Sequence, residues 1–435
     1  MRFLICFNFF YLVSCFLFAQ NDSGGTEQSN KISPYLIGQN LWGRTDVFNV
    51  VKEVRDVKYQ TIRIGGNGYE NADFMTKAVI DYIDYVRASG AEPLLQLPRQ
   101  LKNDDKAFKA IAYLNGKLKK NIKFWSIGNE PDHKNQLASP EEVFDYFTKI
   151  AEQIKRYDPE AKIMGFDLAS YSPKYINRLL GGDLDLTGRI PGKNYYYLDM
   201  VSLHNYRFVD ISGFEEEVID LKKRLGGINK YRESNHQIGW AITEFNSHWM
   251  VDPALEERYL PYTFHNGQIF AEMYDLGMRE GAFTICPWSI LEGDADREGT
   301  DLSMFDLKDG RYYPRSNYYH TSLLAQHFRE NYLGHSDNQQ GVVIIPMGDE
   351  EGVSVMILNK NRQSGYKYSL RLDKGKQSSK TLQIAINAGI NKKYKAKIDP
   401  LSTQMLIFNR KGKLIKRYIY SQSDADAMKP PRLSK

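Results

Sequence analysis

Two short motifs hold the residues whose chemistry is most legible in this chain. Gly128-Asn129-Glu130-Pro131 follows Phe124-Trp125-Ser126-Ile127, and Thr243-Glu244-Phe245-Asn246 follows Gly239-Trp240-Ala241-Ile242. Each sets a glutamate just past an apolar run of strand length. Two carboxylates at strand ends across a cleft are the minimum equipment for breaking a glycosidic bond. One gives a proton to the leaving oxygen while the other attacks or stabilises the anomeric carbon. Other chemistries lack their residues. There is no Gly-x-Ser-x-Gly elbow, no His-Glu-x-x-His and no Cys-x-x-Cys. Gly65-Gly66-Asn67-Gly68 lacks the lysine and spacing of a phosphate loop and reads as a strand-end turn. Asp294, Asp296, Glu298 and Asp301 lack the spacing of a Ca²⁺ loop and read first as a solvated loop, with a cation or substrate-hydroxyl site as the alternative. Asp132 and His133 read first as solvated, with a subsite lining as the alternative. No metal and no organic cofactor is implied.

The elements that must position these glutamates alternate along the chain. Strand-like runs occur at 35–38, 61–64, 93–97, 124–127, 162–166, 200–204, 240–243 and 282–286, with helical patterns between them. Eight such strands close a (β/α)8 barrel, whose site forms at the C-terminal ends of the strands. Glu130 then follows the fourth strand and Glu244 the seventh, and opposed strands bring such carboxyls to about 5 Å. Ser139-Pro140-Glu141-Glu142 is a capping box with proline at the first helical position. Val143, Phe147, Ile150 and Ile154 mark the apolar face of that helix, and Asp158-Pro159 closes it. After residue 328 the pattern becomes short strands at 341–345, 353–358, 366–370, 382–385 and 405–408, separated by Gly, Asn, Asp and Lys-rich turns. The fold class is therefore α/β: a TIM barrel over 34–328, then a small antiparallel β-sandwich over 329–420. Residues 421–435, with Lys429-Pro430-Pro431, read as a frayed tail.

The paired motifs resemble those of the retaining glycoside hydrolases of clan A, the 4/7 barrels. Thr243-Glu244-Phe245-Asn246 is most similar to the β-xylosidase-type family thirty-nine. Ile64-Gly65-Gly66-Asn67 is similar to neighbouring families that include α-arabinofuranosidases and heparanase-like β-glucuronidases. The resemblance spans about 34–328 and implies roles for particular residues. Glu130 would be the acid/base and Glu244 the nucleophile. Arg63, closing the second strand, resembles the arginine that holds the nucleophile ionised, since a nearby cation lowers a carboxylate's pKa. His204-Asn205-Tyr206 resembles the His-x-Tyr whose phenol touches the nucleophile. Asn129 would donate to the sugar 2-hydroxyl, and Trp288 would floor the sugar ring. The division of labour expects Glu130 raised by the second carboxylate and Glu244 kept anionic. Structural readings stand beside these: a helix-start carboxylate for Glu130, an ion pair for Arg63, a core histidine for His204, packing for Trp288.

The resemblance implies a retaining hydrolase acting on an oligosaccharide or polysaccharide of plant or algal origin. A β-xylosidase or α-arabinofuranosidase is the first reading. An endo-acting galactan or agarase-type enzyme and a catalytically inactive glycan-binding barrel are the alternatives. The bulk properties agree. At 435 residues the chain suits a barrel plus an accessory domain, and its 29 Tyr and 22 Phe suit sugar faces as well as a large core. A formal charge of +5 with no dense basic stripe before the C-terminal domain argues against nucleic acid. Arg2, then an apolar run to Phe18 ending in Ala19, reads as a signal peptide over 1–19, with a spacer over 20–33. The protein is therefore expected to be secreted or periplasmic. Leu12-Val13-Ser14-Cys15 resembles a lipobox, so a membrane would be a partner only through lipidation at Cys15. Cys6 and Cys15 fall in the signal, and Cys286 reads as a buried strand residue.

Overall fold

The computed structural model describes residues 30–43, 45–70, 73–99, 105–134, 137–206, 211–249, 260–292, 301–337, 339–373 and 382–434. The signal expected at 1–19 (with Cys6 and Cys15), most of the spacer, and Asp294, Asp296 and Glu298 lie outside the described residues.

Eight parallel strands lie side by side in chain order: Gly38–Leu41, Thr61–Ile64, Glu92–Leu97, Phe124–Ile127, Lys162–Leu168, Met200–Asn205, Gly239–Phe245 and Ile285–Pro287. A parallel bridge between Ile37 and Ile285 brings the last beside the first and closes the barrel. Alternation along each strand decides which side chains face the helices and which face inward. Ile62, Ile64, Leu95, Leu97, Trp125 and Ile127 join the main core, whereas Leu94, Phe124, Met164, Met200 and Ala241 pack on one another. That second cluster, with Tyr35 and Phe283 against it, plugs the floor of the barrel. Two residues further along the same faces come Gln96, Ser126, Ser202 and Thr243, all polar and fully buried. Buried polar groups need hydrogen-bond partners, so the upper barrel is built as a network rather than as apolar packing.

The capping box is present: Ser139 Oγ accepts from Glu142 N–H at 3.3 Å, and Ser139 N–H donates to Glu142 Oε2 at 2.7 Å. The helix it starts, Pro140–Tyr157, buries Val143, Phe147, Ile150 and Ile154. Beyond the barrel lies a seven-stranded sheet in the order Asn30–Lys31, Asn331–Tyr332, Val342–Asp349, Gly352–Asn359, Ser402–Asn409, Leu414–Ser421, Arg432–Leu433. A four-stranded sheet, His335–Asp337, Leu382–Ile386, Tyr366–Arg371, Lys393–Ile398, covers it; its central pair is parallel and the others antiparallel. One face of the larger sheet packs on the smaller through Ile344, Val353, Val355, Leu406 and Phe408. Its other face, with Ile345, Met347, Met356, Leu358 and Met405, joins the barrel's own core.

Three expectations change here. Lys393–Ile398 and Leu414–Ser421 are strands that the apolar pattern missed, because both carry lysine or arginine on their exposed positions. The spacer ends in a strand, Asn30–Lys31, paired with Asn331–Tyr332 at the sheet edge. The tail is tied down rather than frayed. Ser421 caps the helix Gln422–Asp426, buried Asp424 accepts from Arg432 Nε at 3.0 Å, and Arg432–Leu433 pairs with Tyr418 and Ile419.

Candidate active site

The register of the barrel breaks at the C-terminal ends of strands five, six and seven: between Gly165 and Leu168, Leu203 and His204, and Ile242 and Phe245. Such irregularities turn side chains that a regular ladder would face elsewhere. Here they sit at Asp167, His204 and Glu244. Glu244 therefore lies inside the strand Gly239–Phe245, not beyond its end, and faces His204 across the pair. Glu130 reaches the same space differently. Its φ is +45°, a conformation that costs a non-glycine residue about 1–3 kcal/mol. Its N–H donates to Asp167 O at 2.8 Å, which holds that bend. The next helix begins only at Pro140, so Glu130 is no helix-start carboxylate. Gly128, φ +78°, precedes it; a Cβ there would lie 2.7 Å from Arg99 Cγ.

Arg63 is the hub, with no exposed surface. Its Nη1 donates to Glu244 Oε1 at 2.7 Å and Asn40 Oδ1 at 3.1 Å. Its Nη2 donates to Asn129 Oδ1 at 2.7 Å, Asp167 Oδ2 at 2.9 Å and Gln96 Oε1 at 2.9 Å. Tyr206 Oη donates to the other oxygen of Glu244 at 2.7 Å. His204 Nδ1 lies 3.0 Å from Glu130 Oε1 and 3.7 Å from Glu244 Oε2. One oxygen of each glutamate and this nitrogen all fall within 4.8 Å of one another. Asn129 Nδ2 donates to Asn67 Oδ1 at 2.9 Å. Trp288 is buried, its ring beside that of Trp42 with centroids 6.2 Å apart. Gly66, φ +109°, lies against both indoles, and a Cβ there would run into the Trp288 ring.

The charges are tightly coupled. Burial pushes Glu130 up, but the hydrogen bond and charge of His204 outweigh it, leaving the carboxyl below its ordinary value. Burial likewise opposes a charge on His204, yet Glu244, Glu130 and Asp167 together raise it. The expectation that Glu130 is raised is therefore overturned for this state. It weighed the second carboxylate and not the imidazole in contact with the first. The two shifts run in opposite directions, so the contact favours a proton on the ring over one on the carboxyl. Asp167 is also held low, since Arg63, His204, Ser202 and Thr243 outweigh its burial. Arg63 stays protonated despite burial, because Asp167 and Glu244 face it.

All seven residues singled out in the sequence thus stand around one barrel mouth. Three others that belong there, Asp167, Asn40 and Gln96, carried no motif. Asp167 accepts from Ser202 and Thr243 hydroxyls as well as from Arg63. Asn40 Nδ2 ties strands together through Thr243 O and Cys286 O, both at 2.8 Å. Gln96 also accepts from Gly66 N–H at 2.7 Å and donates to Glu70, whose ion pair with Arg99 spans 2.9 Å. The signal available for Asp167 was a lone acid inside the apolar run Ile163-Met164-Gly165-Phe166-Asp167-Leu168. Asp132, read as solvated, is tied down instead, accepting from Ala169 N–H at 2.7 Å. The side chain of Asp301 remains solvent-exposed while it pairs with Arg315 at 2.6 Å. Cys286 is buried and free, its thiol pushed up to about 12 by burial.

No protein-family profile and no curated protein matches the sequence. Solved structures do match the fold. An α-L-arabinofuranosidase from Thermotoga maritima, in complex with arabinose, is 15% identical with a TM-score of 0.62, over 87% of this chain and 97% of that one. A thermostable family-51 α-L-arabinofuranosidase from Thermotoga petrophila gives 15% identity and a TM-score of 0.64 over the same shares. A family-44 xyloglucanase from Paenibacillus polymyxa gives 12% and 0.57, over 86% of this chain and 96% of that one. The barrel and the β-rich domain behind it are common to this chain and these structures.

Proposed function

We propose that this chain is a retaining O-glycoside hydrolase with Glu244 as nucleophile and Glu130 as acid/base. The observation that carries the reading is the approach of the two carboxylates, within 4.8 Å and with His204 between them. Retaining pairs stand about 5–5.5 Å apart, whereas inverting pairs need about 6.5–9.5 Å to admit a water. Glu244 attacks the anomeric carbon, its two oxygens aimed by Arg63 and Tyr206, and the bond to the leaving oxygen breaks. The proton shared by Glu130 and His204 goes to that oxygen. The pair, now without a proton, takes one from the water that cleaves the glycosyl-enzyme. Three buried carboxyl groups, those of Glu130, Glu244 and Asp167, gather around the Arg63 guanidinium and the His204 ring. That suits an oxocarbenium-like transition state.

Pentose glycosides are the first substrate class. Support comes from the arabinofuranosidases that share the fold and from the likeness of the Thr-Glu-Phe-Asn motif to family-thirty-nine β-xylosidases. An endo-acting reading is favoured by the xyloglucanase of the same fold and by Trp249, past the seventh strand and 57% exposed. Export through the segment at 1–19 would place either activity outside the cytoplasm. The test is a panel of aryl glycosides and polysaccharides, run with the protein and with Glu244→Gln. Release of nitrophenol from a xyloside or arabinofuranoside, lost in the variant, is expected. Oligosaccharides from a polymer with no aryl release would select the endo reading. Undiminished turnover by Glu244→Gln would overturn both.

A further inference from the structure

The charge of this chain is not evenly spread. Residues 382–417 carry nine lysines and arginines (Lys392, Lys393, Lys395, Lys397, Arg410, Lys411, Lys413, Lys416, Arg417) against Asp399 alone, a formal +8 where the whole chain is +5. The fold gathers them. Lys393–Ile398 is the edge strand of the four-stranded sheet, and its side chains alternate: Lys393, Lys395 and Lys397 exposed, Tyr394, Ala396 and Ile398 turned to the sandwich core. On the neighbouring strand, Lys367 stands opposite Lys397 and Arg371 opposite Lys393, on the same outward face. The hairpin after Asn409 closes on the row, since a Cβ at Gly412 would lie 2.6 Å from Lys392 Cγ. Among the described residues, the only carboxylate that meets one of the three row lysines is Asp399, 3.4 Å from Lys397. Glu350 and Glu351 border Arg410 and Lys411, so the patch centres on the Lys393–Lys397 row.

We propose that this outer sheet face binds an anionic polysaccharide bearing sulfate or carboxylate groups. Lysines on an edge strand also discourage sheet-to-sheet association. Arg371 is answered by Asp373 at 2.9 Å, but that role does not require Lys367 on the inner neighbour, or the lysines of a hairpin from the other sheet. Successive row lysines stand about 6.6–6.8 Å apart along an extended strand, which makes a linear array of cations for a linear polyanion. Single-stranded nucleic acid would want rings between the cations, and Tyr394 points inward. A membrane surface would want apolar side chains to insert, and the row has none. Choosing a glycan among polyanions rests on the hydrolase reading. The face lies on the outer sheet, away from the barrel, so its work is to hold the enzyme on a matrix rather than to place the bond being cut.

Affinity electrophoresis of the full protein in gels of dextran sulfate, polygalacturonate or neutral arabinan tests this, with Lys393→Glu/Lys395→Glu/Lys397→Glu beside it. The protein is expected to be retarded by a charged polymer and not by arabinan. Retardation by dextran sulfate alone would name sulfate esters as the ligand, and by both polymers, any anionic glycan. The triple variant should lose at least about tenfold in affinity while keeping its melting temperature. No retardation, equal retardation of the variant, or equal binding to duplex DNA or phosphatidylserine vesicles at the same salt would overturn the proposal. Running Glu244→Gln in the same gels, and the unsubstituted protein on the panel, separates the two readings. Glu244→Gln should be retained like the unsubstituted protein. An unsubstituted protein that is retained but hydrolyses nothing on the panel defeats the hydrolase and spares the patch, and one that hydrolyses without retention does the reverse.

Discussion

At the scale of single residues, the site is a contest over one proton. His204 is the group that decides it, because it touches Glu130 and sits near Glu244 and Asp167. Its role was open in the sequence, where a satisfied core histidine fitted as well. The shifts make a stability prediction whose sign follows from their directions. His204, raised above its ordinary 6.5, adds stability that is fully present below pH 6.5 and lost as pH climbs through its folded value. Glu130, lowered from 4.5, adds stability present above pH 4.5 and lost as pH falls through its folded value. Both contribute between those two ordinary values. The melting-temperature gap between the protein and His204→Gln should be widest there and narrow above pH 6.5. A gap that grows toward alkaline pH would show that His204 is neutral in the folded chain.

At the scale of elements, the strands run further than their apolar patterns. The first was expected at 35–38 and occupies Gly38–Leu41, because Gln39 and Asn40 are fully buried polar residues on a hydrogen-bonded barrel wall. The fifth reaches Leu168 through Asp167, and the seventh reaches Phe245 through Glu244, for the same reason. Hydrophobicity reports the floor of the barrel and stops where the network starts. This is why the motif-bearing glutamates were legible while Asp167, Asn40 and Gln96 were not. Nothing local marks a polar residue whose partners lie on other strands. The eighth strand is shorter than its pattern, Ile285–Pro287, although Phe283 N–H still reaches Trp240 O at 2.8 Å. The turn after strand two was legible as a turn, but its purpose needed the fold. Gly66 lets the chain pass under Trp288. Gly66→Ala should cost about 1–3 kcal/mol of stability through its φ alone, and more through the displaced indole. Chemical denaturation with tryptophan fluorescence reads both. An unchanged midpoint would contradict the packing.

At the scale of the molecule, the β-rich domain is bound into the barrel rather than appended to it. Lys360 Nζ meets Glu272 at 2.7 and 2.9 Å, and His320 Nε2 lies 2.8 Å from Thr403 Oγ1. Met347, Met356 and Met405 fill the same core as the helices Phe264–Glu280 and Ser316–Gln326. Asn30–Lys31 adds the segment before the barrel to the sheet behind it. A shared core melts as one unit, so scanning calorimetry should give a single transition. Two resolved transitions would show that the domains fold independently. Past the helix Ser316–Gln326 the described elements are strands up to the short helix Gln422–Asp426. The shared core could not be read from the chain, because a sheet buried on both faces shows only a continuous apolar run.

The central claim is that Glu244 attacks and Glu130 handles the proton. Azide rescue tests it most directly, on an activated aryl glycoside that the panel shows to be a substrate. Azide should restore Glu244→Ala by entering from the vacated nucleophile side, giving a glycosyl azide of inverted configuration. In Glu130→Ala it should intercept the glycosyl-enzyme and give the retained anomer. Proton NMR of the two products distinguishes them. The opposite assignment, or the same anomer from both variants, would contradict the account.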